Sequence, residues 1–171
     1  MQNIINISRK DLETGNHMFF EGKNMLIQIS DPALEFVIPA RHFDVIARFE
    51  FLDLEEKDGW GDEFKITDGQ AMQIADLLQY ALKHNMHVTA ACVAGVCRSG
   101  AVCEVGVMMG FRDRNQFRSP NLMVKHKMMK YLGWTYDSDE PFSENGRHYF
   151  YDCQNNKVFY DEIESGGEYG G

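Results

Sequence analysis

Residues 87–101 read His-Val-Thr-Ala-Ala-Cys-Val-Ala-Gly-Val-Cys-Arg-Ser-Gly-Ala and constrain the fold more than any other segment. His87–Ala91 is short and apolar and runs into a glycine-containing turn, the pattern of a buried strand. Arg98–Met109 is small and apolar nearly all round, through Ala101, Val102, Cys103, Val105, Val107 and Met108, so it predicts a helix buried at the centre of the molecule. The strand delivers Cys92 to its carboxyl end, and a five-residue loop of Val93, Ala94, Gly95, Val96 and Cys97 leads to Arg98. A buried strand and a buried helix joined this closely need further layers to cover them, which points to an α/β architecture.

The remaining pattern agrees. Met25–Ser30 and Val45–Leu52 read as strands, the first ended by Asp31-Pro32 and the second carrying Arg48 and Glu50 in alternation with apolar neighbours. Thr67 or Asp68 can cap a helix to about Lys83, with an apolar face through Met72, Ile74, Ala75, Leu77, Leu78, Ala81 and Leu82. Ser119-Pro120 places a capping side chain before a proline at the start of a helix over 121–132. The expectation is a central, mostly parallel sheet flanked by helices in one domain over 1–133. Residues 134–171 form an acidic, aromatic extension with nine acids against Arg147 and Lys157. Its pieces His148–Tyr151 and Lys157–Tyr160 suggest a hairpin, and Ser165–Gly171 is expected to be disordered.

Acidic residues outnumber basic ones 26 to 17, a net charge of -9. That balance disfavours nucleic acid and anionic membranes as partners, because the field of the whole protein repels phosphate backbones. The longest uncharged apolar run, Val88–Cys97, is far short of the roughly 20 residues needed to span a bilayer. Arg9 and Lys10 arrive before any apolar stretch of signal-peptide length, so a cytoplasmic protein is expected (host cytoplasm if viral). Cys92, Cys97, Cys103 and Cys153 include no Cys-x-x-Cys pair, so reduced thiols are expected and neither a disulfide framework nor a structural metal is suggested.

The 87–101 segment also carries chemistry. Ligands of open α/β sheets bind beyond the carboxyl ends of the strands, where Cys92 stands. Successive backbone N–H groups in a short loop form a nest for an anion, and the amino terminus of the next helix adds its positive dipole end. Arg98 can complete the cradle with a bidentate fork to two phosphate oxygens. The same positive field favours the thiolate of Cys92, the nucleophilic form. These residues supply a phosphate site with a nucleophile beneath it.

With Cys92, Gly95, Arg98 and Ser99 in register, the segment resembles the His-Cys-x5-Arg-Ser/Thr signature of the cysteine-dependent phosphatases, the protein-tyrosine and dual-specificity phosphatase superfamily. The likeness is greatest to small dual-specificity-like enzymes of bacteria and bacteriophages. It covers about residues 25–132, including Phe49-Glu-Phe-Leu-Asp53 before an acidic loop and Arg118-Ser-Pro-Asn121, which is similar to the family's Pro-Asn helix start. The resemblance implies that Cys92 attacks phosphorus while the 93–97 amides and Arg98 hold the equatorial oxygens. An aspartate of the upstream loop would protonate the leaving oxygen and then activate water, and Ser99 would hydrogen-bond the Cys92 sulfur. No metal or other cofactor is implied. Asp53 is preferred as the acid over Asp58 and Asp62 because it directly follows a parallel strand and so shares the Cys92 edge of the sheet. The rest of the 53–65 loop reads as flexible and exposed.

Two positions depart from the family. Ala91 stands where histidine is usual, removing hydrogen bonds that brace the loop, and Cys97 stands where serine or another small residue is common. Elsewhere the plainer readings hold: Cys103 and Cys153 as buried small hydrophobes, the methionines as core filling, and His87 and His126 as structural. Arg112, Arg114 and Arg118 read either as contacts to phosphorylated substrate or as a solvated basic face. The resulting expectation is a phosphatase acting on a phosphorylated protein or peptide. Competing with it are a noncatalytic phosphate-binding module of the same fold, a rhodanese-type cysteine-loop protein, and an enzyme for RNA 5′-phosphate or phosphoinositide.

Overall fold

The computed structural model describes residues 1–134 together with 143–144, 147–151 and 157–159. The chain runs β1 (Asn3–Ser8), α1 (Arg9–Thr14), β2 (Lys23–Ser30), β3 (Val45–Glu50), a 3-10 turn (Asp62–Phe64), α2 (Asp68–Lys83), β4 (Met86–Cys92), α3 (Arg98–Met109), β5 (Arg112–Asp113) and α4 (Leu122–Tyr131). The five strands form one sheet in the order β3-β2-β4-β1-β5, with every ladder parallel. All carboxyl ends therefore lie at one edge, and Cys92 closes the central strand there.

Side chains alternate across a strand, so each strand feeds two cores. Ile4, Ile27, Ile29, Val88 and Ala90 pack with α2, α3 and α4. Ile5, Ile7, Leu26 and Ala91 pack with Leu12 of α1, Val37 and Phe43. The α/β architecture expected from the sequence is the one observed. The capping box of α2 pairs Thr67 with Gln70, and α3 is buried at Arg98 through Cys103 and again at Val105 and Gly106.

Several local expectations are corrected. β1, α1 and β5 were not anticipated. In β1 the polar Asn3 and Asn6 obscure an apolar strand, yet both are buried because their side-chain Nδ2 groups meet His87 Nδ1 and Gly95 O. Helix α4 is capped by Asn121, whose Oδ1 accepts from Val124 N at 3.0 Å, and not by Ser119, whose N–H donates to Val96 O. β3 stops two residues early because Leu52 N donates to Phe64 O. Met72 points away from the α2 core and is 40% exposed. The 53–65 loop is not merely a solvated strip: buried Lys65 donates to Asp58 O at 2.6 Å and pairs with Asp62 at 2.8 Å.

Arg118 follows neither reading of the basic cluster, since it is largely buried and ion-paired with Asp113 and Glu104. His87 is structural: Nδ1 accepts from Asn3 N, Nε2 reaches Glu21 O, and burial holds its pKa below the ordinary histidine value. Met128 and Met129 are fully buried. In the extension, β6 (Ser143–Glu144), β7 (Arg147–Tyr151) and β8 (Lys157–Phe159) pair antiparallel, so the expected hairpin is present as β7–β8. The Ser165–Gly171 tail and Cys153 lie outside the described residues. Among the described residues no helix is long and apolar enough to cross a membrane.

Candidate active site

Four of the five carbonyls in the loop from Val93 to Cys97 are hydrogen-bonded to neighbouring groups. Val93 O accepts from Arg9 N, Gly95 O from Asn6 Nδ2, Val96 O from Ser119 N, and Cys97 O from Ala101 N and Asn121 N. With those four carbonyls taken, the N–H groups of Val93, Ala94, Val96 and Cys97 have no backbone acceptor among the described residues. Gly95 N donates to Cys92 Sγ at 3.2 Å, and Ser99 Oγ lies 3.1 Å from the same sulfur. Unpaired amides at the amino terminus of buried α3, with the thiol held at Gly95 N–H, are the arrangement an anion cradle needs.

The cradle closes only because residue 95 is glycine. Its φ is 73°, and a Cβ there would lie 2.3 Å from the backbone of Ile7 and Ser8. Gly95→Ala is expected to cost about 3 kcal/mol, from the left-handed conformation and the backbone overlap together. Urea unfolding reads this directly, with the exposed neighbour Ala94→Gly as the control; an unchanged midpoint for Gly95→Ala would disprove the close approach.

Arg98 is 4% exposed. Its Nη1 donates to Asp31 Oδ1 and to Phe51 O, both at 2.6 Å, while Nε is buried without a partner among the described residues. With Nη1 committed, the edge carrying Nε is left to serve an anion, the geometry a bidentate fork requires. Asp31 was not singled out from the sequence, although it follows a strand at the same sheet edge, the argument that singled out Asp53. Its turn is tight: Leu34 N donates to Asp31 O, and Ala33 has φ 73°.

Asp53 accepts from Asn121 Nδ2 at 2.8 Å, and its carboxylate acts on the Cys97 thiol. Burial and the Asp53 carboxylate push the Cys97 thiol above its usual range. The two competing aspartates are otherwise engaged, Asp58 with Glu55 N at 2.7 Å and Asp62 with Lys65. The structure thus brings Cys92, Arg98, Ser99, the 93–97 loop and Asp53 to one edge, and leaves Asp58 and Asp62 in contacts within their own loop. Asn121 ties the two loops together, donating also to Leu54 O at 3.0 Å, and Glu55 accepts from the Leu122 and Met123 amides of α4. Burial raises the Glu55 carboxyl above its ordinary value despite those two bonds.

Ala91 packs on the face of the sheet opposite Cys92, beside a cavity with room for about one water whose lining includes Arg9, Leu12, Gln28, Ser30 and Val93. Among the described residues no group of three or more His, Cys, Asp or Glu side chains could hold a metal ion.

The fold, a mostly parallel five-stranded sheet flanked by helices, is that of dual-specificity phosphatase-like structures. The chain is similar to human tyrosine phosphatase-like serine/threonine/tyrosine-interacting protein, with a TM-score of 0.52, 14% identity, and coverage of 77% of this chain and 91% of that one. It is similar to human DUSP28 to the same degree, at TM-score 0.52 and 14% identity over 76% of this chain and 91% of that one. No protein-family model and no curated protein matches the sequence.

Proposed function

We propose that the protein is a cysteine-dependent phosphomonoesterase acting on phosphotyrosine or phosphoserine/threonine in proteins or peptides. The observation that carries this reading is the 93–97 loop, whose Gly95 N–H meets the Cys92 sulfur while four neighbouring amides have no backbone acceptor and the buried Arg98 Nε has no partner among the described residues. Cys92 thiolate attacks phosphorus; the S–P bond forms as the ester P–O bond breaks. The cradle amides and Arg98 take up the charge on the equatorial oxygens. Asp53 gives its proton to the leaving oxygen, then removes one from the water that releases phosphate and restores the thiolate. Ser99 Oγ–H donates to the departing sulfur. Val93 and Ala94 are exposed at the mouth, open to a protein-borne phosphate. A place among the small bacterial or bacteriophage enzymes, and a cytoplasmic location, belong to this proposal and rest on the sequence alone. So does substrate selection by residues 134–171.

The acid is tested by leaving-group dependence. Asp53→Asn is expected to slow a substrate with a poor leaving group by about a hundredfold, and to spare one whose leaving oxygen departs without protonation. Asp58→Asn and Asp62→Asn should be mild on both. If either of those shows the leaving-group signature and Asp53→Asn does not, the assignment to Asp53 fails. A second reading, a phosphate-binding module without turnover, is favoured by Ala91 at the histidine position and by one structural neighbour being called phosphatase-like and interacting. A panel of phosphopeptides and aryl phosphates separates the two.

A further inference from the structure

β1 lies beside the nucleophile strand, with Ser8 opposite Cys92, so its last residues run beneath the cradle. Asn6 is 4% exposed there. Its Nδ2 donates to Gly95 O at 2.7 Å and to Phe117 O at 2.9 Å. Gly95 is also the residue whose N–H reaches the Cys92 sulfur at 3.2 Å. One flexible glycine is thus held at both ends, its N–H by the sulfur and its C=O by Asn6. A glycine has more backbone freedom than any other residue. Besides its close approach to the backbone of Ile7 and Ser8, the bond to its carbonyl restrains the torsions that aim its amide at the sulfur.

Asn6 Oδ1 is buried with no partner among the described residues. An apolar residue in β1 would avoid stranding that oxygen, so what the amide contributes here is its NH2 group. We propose that Asn6 is a positioning residue for Cys92: by fixing the Gly95 carbonyl it restrains the Gly95 torsions that turn the Gly95 N–H toward the sulfur, and it fastens Phe117 to the same loop. This role rests on Cys92 being the reactive thiol of the proposed enzyme. It requires no turnover to be tested. A second tie to the loop, from Arg9 N at the start of α1 to Val93 O, is longer at 3.3 Å and does not reach Gly95.

The test is the pH profile of Cys92 alkylation by iodoacetamide in the full chain, followed by mass spectrometry, with urea unfolding of each variant alongside. Asn6→Ala is expected to move the profile to higher pH by about one unit, the loss of one hydrogen bond to a charged sulfur. Thr89→Ala, a buried change on the adjacent strand away from the loop, should leave the profile in place whatever it does to stability. If Asn6→Ala does not fold, Asn6→Gln is read instead; it keeps the polarity but carries the amide one methylene off, and the same shift is required. An unmoved profile in a folded Asn6 variant overturns the proposal. A shifted profile in a protein with no phosphatase activity upholds the positioning role and removes the enzyme reading; full activity with an unmoved profile does the reverse.

Discussion

Cys92→Ser is expected to abolish hydrolysis, by about 10⁵ or more, while the protein still binds inorganic phosphate. The substitution is nearly isosteric, and although residue 92 is only 3% exposed, the new hydroxyl would not be left unpaired. Gly95 N–H and Ser99 Oγ can meet a hydroxyl as they meet the sulfur. What is lost is the nucleophile: a hydroxyl does not ionise near neutral pH as a thiol does, and Ser99, its side-chain hydrogen-bond partner, is no base. The amides and Arg98 are untouched, so the anion site survives. Phosphate release from an aryl phosphate and calorimetric titration with phosphate read the two halves separately. Turnover at the wild-type rate would reject covalent catalysis; loss of phosphate binding along with activity would reject the cradle as a site independent of the thiol.

Arg98→Lys is expected to lower kcat/KM by about 10³ even though the charge is kept. The guanidinium has two separate duties, Nη1 bonding Asp31 and Phe51 O while the edge bearing Nε remains for the anion. An ammonium is a single point, and if it stays with Asp31 it leaves the cradle, while if it turns to phosphate it strands a buried carbonyl at Phe51. Phosphate affinity should therefore fall together with turnover, unlike in Cys92→Ser. An Arg98→Lys protein within about threefold of wild type on both readouts would show that charge, not the fork, is what the site uses.

Much of the fold was legible because its determinants are local. The period of apolar residues in α2 and the small-residue run of α3 specify buried helices whatever surrounds them. β1 escaped because Asn3 and Asn6 break its apolar run, and their burial makes sense only once His87, Gly95 and Phe117 are seen beside them. Ser119 satisfied the local rule for a helix cap, but its N–H is spent on Val96 O, so Asn121 caps α4. The acidic loop read as solvated because nothing within it announces that Lys65 is buried or that Glu55 receives two amides of α4.

The sequence by itself determined the cradle: Cys92, the five-residue loop with Gly95, Arg98 and Ser99 are contiguous, and a short loop between a buried strand and a buried helix has few ways to run. Only the tertiary structure decided what holds that cradle and aims its groups. Asp31 lies 67 residues from Arg98, Asp53 lies 68 from Asn121, and Asn6 lies 89 from Gly95 and 111 from Phe117. Such pairs depend on which strands become neighbours in a parallel sheet and in what register. That choice is made by burying two apolar faces at once, and no single segment encodes it.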